Sequence, residues 1–129
     1  MNRTIPLQRW ATIKGRHDDC VVQVSSDWVD AGEATEATFF VQVAALTAHA
    51  DPVTLVLQSA PSPDVGDACW YTVDTFAAGQ PLTAGTYVFA TARPSAADPH
   101  FSRLLRWKVD GGNSDFDWSA TFRICVTLR

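Results

Sequence analysis

Charge is scarce in this chain. Asp, Glu, Lys and Arg together make up 19% of 129 residues, below the roughly 25% of an average globular protein. Lysine and arginine are nowhere concentrated, and the formal net charge is −4. Phosphate backbones are held by dense positive charge, so nucleic acid is excluded as the expected partner. Long apolar runs are missing too. The opening stretch Met1-Asn2-Arg3-Thr4-Ile5-Pro6-Leu7-Gln8-Arg9-Trp10 has no continuous hydrophobic segment behind its arginine, and so reads neither as a secretory signal nor as a membrane span. Synthesis in a cytoplasm without a signal peptide, and no membrane insertion, are the expectations. The three cysteines, Cys20, Cys69 and Cys125, cannot all pair within one chain and none stands in a Cys-x-x-Cys spacing. They read as small buried hydrophobes, with an intermolecular bridge as the other option.

The usual signatures of catalysis are also absent. There is no Gly-x-Ser-x-Gly elbow, no His-Glu-x-x-His and no phosphate-cradling glycine loop. His17, His49 and His100 all fall in predicted loops, where a surface role is the simpler reading. His17-Asp18-Asp19-Cys20 has metal-ligating residue types, but neighbours on an extended chain point to opposite faces and cannot all meet one ion. Asp110, Asn113, Asp115 and Asp117 gather oxygen ligands, yet lack the spacing and terminal glutamate of a calcium loop. A polar turn needs the same residues. The expectation is a protein that is not an enzyme, with no metal and no cofactor.

What the chain does have is alternation. From Thr121 to Arg129, Phe122, Ile124, Val126 and Leu128 fall on one side, and Thr121, Arg123, Cys125, Thr127 and Arg129 on the other. Leu105, Trp107 and Val109 similarly oppose Leu104, Arg106 and Lys108 in a strand over 101–110, joined to the last strand by the hairpin-like loop 111–115. Residues 34–46 form the clearest long strand, with Phe39, Val41, Val43 and Ala45 against Thr38, Phe40, Gln42 and Ala44. Its β-branched and aromatic residues outweigh its alanines, which would otherwise suggest a helix. Further strands are predicted at 11–15, 20–25, 53–59, 69–76 and 86–92, separated by Gly, Pro and Asp turns. Residues 1–10, interrupted by Pro6, read as an N-terminal arm or an edge strand, and residues 11–129 as one domain. Seven to nine short strands without an amphipathic helix define an all-β, single-domain antiparallel β-sandwich of jelly-roll or Greek-key type.

Five tryptophans in so small a chain point to contacts. Trp is enriched at protein interfaces and can also stack on sugar rings. The candidate interface residues are Ile5, Leu7 and Trp10 in the arm, and Trp70, Phe116 and Trp118 near loops. Trp70 and Trp118 would form the platform in the alternative reading, a carbohydrate-binding module.

The segments Val53-Thr54-Leu55-Val56-Leu57-Gln58-Ser59-Ala60, Phe101-Ser102-Arg103-Leu104-Leu105-Arg106-Trp107-Lys108-Val109 and Thr121-Phe122-Arg123-Ile124-Cys125-Val126-Thr127-Leu128, with Trp70 between the first two, resemble the second half of small β-sandwich proteins that decorate or cement phage capsids. Discoidin-type carbohydrate- or lipid-binding domains are similar through an aromatic-Arg strand. The phage resemblance covers about half of the chain. It implies a structural sandwich of viral kind, with a place in a virion. Together with the compact sandwich, the low charge and the missing signal peptide, the expectation is a non-enzymatic structural protein that self-assembles as a homo-oligomer or docks on a capsid, decoration, tail or tubular lattice.

Overall fold

The computed structural model of the protein describes residues 3–16, 20–47, 53–62, 69–76, 84–92, 101–111 and 117–129. Its strands are β1 (Arg3–Gly15), β2 (Cys20–Val22), β3 (Val29–Asp30), β4 (Glu36–Thr47), β5 (Thr54–Ala60), β6 (Tyr71–Phe76), β7 (Gly85–Ala92), β8 (Leu104–Asp110) and β9 (Trp118–Leu128). They build two antiparallel sheets, one in the order β1-β9-β4-β7 and the other β2-β8-β5-β6, with β3 also paired to β8. β2 and β3 share one strand position, so there are eight positions among the described residues. The first pairs with the last, the second with the seventh, the third with the sixth and the fourth with the fifth. That rolled-up hairpin is a jelly roll, and the all-β sandwich expected from alternation is the observed fold.

The core lies between the two sheets. Phe122, Ile124, Val126 and Leu128 of β9 meet Leu7, Phe39 and Val41 of their own sheet and Leu55, Leu57, Leu105, Trp107 and Val109 of the other, all buried. Trp107 and Phe122 contact edge to face across the interior, with ring centroids 5.2 Å apart. Complete burial of one such side chain stabilises by about 1.5–3 kcal/mol, which is why alternation at every second position can specify a sandwich.

Five expectations need correction. Cys20 and Cys69, read as small buried hydrophobes, are exposed, and Cys125 is half-buried. β8 and β9 do not form a hairpin: they belong to different sheets. The strand expected over 101–110 begins at Leu104, because Phe101 turns into the core and the Ser102 amide donates to Ser59 Oγ at 2.8 Å. The alternation of β4 fails at Ala45, which is exposed. A register shift between Val43 and Ala45 reverses the phase, and Leu46 packs on the core in its place, as a β-bulge dictates. The strand expected over 20–25 stops at Val22. The Gln23 side chain turns inward there, donating through Nε2 to the carbonyl oxygens of Leu7 and Asp27, while its Oε1 accepts from the Trp107 amide. Trp107 Nε1 in turn donates to Gln8 Oε1 at 2.9 Å. Gln8, Trp107, Gln23 and the Leu7 carbonyl thus tie the two sheets together where the second strand position is interrupted, and the buried polar groups are satisfied as burial requires.

Candidate interaction surfaces

Trp70 and its neighbours cover the outward side of the β2-β8-β5-β6 sheet. Arg106 projects outward from β8 yet is buried. Its guanidinium lies 4.0 Å from the centre of the Trp70 ring and 5.6 Å from that of Trp28, and its Nε donates to Gln58 Oε1 at 2.9 Å. Trp28 meets Trp70 edge-on with centroids 4.7 Å apart, and its Nε1 donates to the Gln23 carbonyl. Ala60 and Leu104 complete this second apolar cluster. A cation over an indole is held by the negative face of the ring, so Trp70 is engaged with its own chain.

Trp118 is buried at one end of β9. Its indole lies flat against Gly15, where an added Cβ would stand 2.3 Å from Cζ2. An open depression of about 400 Å³ adjoins it, lined by Lys14, Gly15, Arg16, Thr47, Asp117, Trp118 and Ser119. Trp118 Nε1 is buried without a hydrogen-bond partner among the described residues.

A further exposed feature is the outward face of the β1-β9-β4-β7 sheet. Register aligns Pro6 with Cys125, Cys125 with Phe40, and Phe40 with Val88. One apolar row therefore crosses all four strands. Phe40 is 42% exposed and Val88 61%, while Cys125 is half-buried between Pro6 and Phe40. On one side of this row stand Thr4, Thr127 and Thr38, the first two joined through their hydroxyls at 3.0 Å. On the other side Arg123 donates to Gln42 and lies 5.1 Å from the ring of Trp10, which is 49% exposed. Beyond them Thr12 and Thr121 share a 2.7 Å hydrogen bond. Between the Glu36–Arg129 pair at one end and Lys14 at the other, the sheet carries Arg123, the exposed Arg9 on its β1 edge, and no carboxylate among the described residues. The outward row is thus apolar, bordered by hydroxyls on one side and by Arg123, Gln42 and Trp10 on the other.

Of the candidate residues read from sequence, Trp10 lies on this face and Ile5 is half-buried beside the core. Leu7, Trp70 and Trp118 are buried within the chain, so their side chains are withheld from a neighbour. Their apolar bulk is spent on the core, the Arg106 cluster and Gly15 respectively. Phe116, the three histidines, Asp18, Asp19, Asn113 and Asp115 lie outside the described residues. Sequence reasoning missed Phe40, Val88 and Cys125 as surface partners. The available signal was Phe40 itself, a large aromatic on the polar side of an alternating strand. Among the described residues no helix is long and apolar enough to cross a membrane.

Fold and surface together define a class: an eight-position jelly-roll β-sandwich with one exposed, nearly uncharged sheet face. No known family pattern and no curated protein matches the chain in sequence. Among solved structures it is similar to the VP2 subviral particle of infectious bursal disease virus, with a TM-score of 0.57 and 13% identity over 100% of this chain and 32% of that one. A structure of the Gx strain of the same virus aligns over the same shares with a TM-score of 0.49 and 14% identity. The chain spans 32% of those viral chains, and at this identity the likeness is one of fold.

Proposed function

We propose that the protein is a non-enzymatic structural subunit that associates with itself or docks on a larger lattice, of capsid, decoration, tail or tubular-assembly type, with a place in a virion. The observation that carries this reading is the apolar row Pro6, Cys125, Phe40 and Val88 on an open sheet face. Interface cores are depleted in charge and enriched in aromatics, and a contiguous exposed apolar patch marks a surface meant to be covered. Trp10 and Phe40 are its anchors, whereas Ile5 packs on the core side of β1. The jelly roll also recurs in viral shells, and the fold likeness to a subviral particle supports the same reading. Sugar recognition has less support, since it needs an open aromatic face and Trp70 and Trp118 lie against Arg106 and Gly15.

Light scattering and negative-stain microscopy of the purified protein test this reading. The expected result is oligomers or particles that Phe40→Lys disperses without changing the β-sheet circular dichroism spectrum. A monodisperse monomer at every attainable concentration overturns self-assembly.

A further inference from the structure

A sheet that is not closed into a barrel exposes strand edges, and each edge is a template for another strand unless something guards it. Three of the four strand positions at the edges of this sandwich are guarded. β1 carries Arg3, Arg9 and Lys14, all exposed, together with Pro6 and two register shifts. β2 and β3 are three and two residues long. β6 holds Asp74 in its middle and is itself bulged at Val73, between the pairs Leu57↔Asp74 and Gln58↔Thr72.

β7 has none of these protections. Its sequence Gly85-Thr86-Tyr87-Val88-Phe89-Ala90-Thr91-Ala92 contains no charge and no proline. It pairs with β4 from Val43↔Gly85 to Glu36↔Ala92 without a shift, and no strand pairs with its other side among the described residues. It is also where the apolar row of the open face ends, on Val88. An eight-residue, regular, uncharged and β-branched edge is the kind of strand that natural sheets avoid leaving bare.

We propose that the β7 edge pairs antiparallel with β7 of a second copy about a two-fold axis at Val88, joining two four-stranded sheets into one of eight. This deepens the structural reading above and rests on it, naming the partner and the contact. A second copy fits because an edge without charge is complementary to itself: the dyad sets Val88 against Val88, Thr86 against Ala90, and Tyr87 against Phe89, with no like charges opposed. The apolar row then runs on across the axis into the same row of the other molecule. Main-chain hydrogen bonds supply the affinity, as in strand addition generally, and the side-chain row supplies the register.

The test has two arms. In the first, sedimentation velocity compares the wild-type protein with Val88→Lys, which would oppose two ammonium groups at the axis. Self-association is expected to weaken by about tenfold or more, with thermal stability unchanged. In the second, Val88→Cys in a Cys20→Ser, Cys69→Ser, Cys125→Ser background is mildly oxidised. Directly opposed antiparallel residues lie about 4.5–5.5 Å apart at Cα, within disulfide reach, so a cross-linked dimer is expected. Oligomers that Val88→Lys leaves intact, with no cross-link, overturn the edge contact but leave the assembly reading standing. A wild-type chain that never associates overturns both, and one whose β7 edge pairs only with a strand of a different protein overturns the two-fold contact.

Discussion

Arg106 and Gly15 show how single residues hold the surface in shape. Arg106 is flat, buried and packed against the Trp70 and Trp28 indoles at 4.0 and 5.6 Å. Lysine keeps the charge but neither the plane nor the Nε donor that reaches Gln58. Arg106→Lys is therefore expected to lower stability by about 1–3 kcal/mol, measured by denaturant unfolding followed through tryptophan fluorescence. Gly15→Ala places a methyl group where the Trp118 ring lies. Overpacking of this kind costs about 1–3 kcal/mol, and the same unfolding experiment reads it. Neither role is legible in the sequence. Arg106 looks like an ordinary outward residue of an alternating strand, and Gly15 like a strand terminator, because the partners of both are remote in the chain.

At the scale of elements, legibility follows the number of faces a strand buries. β9 has one inner face and alternates cleanly, so its core residues are readable without coordinates. β8 buries Leu104 and Arg106 on one side and Leu105, Trp107 and Val109 on the other, and alternation says nothing about a second cover. The bulge after Val43 is invisible for a different reason: it exists only relative to β9. β6 raises a question of charge. Asp74 is half-buried, and desolvation raises its carboxyl pKa above the ordinary 3.8 in spite of the Thr75 amide. A carboxyl raised by folding favours the native state while protonated and loses that advantage as pH rises through the raised value. Asp74→Asn is accordingly expected to increase the melting temperature at pH 7 and to leave it unchanged well below pH 3.8. The variant also removes the charge from the β6 edge, so a greater tendency to aggregate is expected in light scattering. Asp30 shifts the other way, lowered chiefly by its hydrogen bond from Arg103, but both partners are exposed, and the pair adds little.

For the molecule as a whole, the decisive contact joins the most distant parts of the chain. β1 and β9 pair from Arg3↔Leu128 to Gly15↔Trp118. Nothing local directs that pairing, and sheets built from such separated strands fold slowly, in about milliseconds to seconds. Residues 1–10 have the appearance of a detachable arm in sequence, yet β1 runs unbroken across that point and sends Leu7 into the core. Deleting residues 1–9 is expected to remove several kcal/mol, of which Leu7 alone accounts for about 2–5. Thermal circular dichroism should show a lost or much lowered transition, whereas removal of a free arm would leave it in place. The exposed face is a property of this scale too. Pro6, Cys125, Phe40 and Val88 become one row only when four strands are set in register, which is why sequence reasoning could name tryptophans but not the patch.

The pairing of Arg3 with Leu128, reinforced by the Thr35 and Glu36 amides donating to the Arg129 carbonyl, brings the way in and the way out of the domain to a single seam. A backbone that enters beside Arg3 passes Leu128 at the spacing of neighbouring strands, about 5 Å. The same seam would let a short linker close the backbone into a ring, with new ends opened at a turn elsewhere.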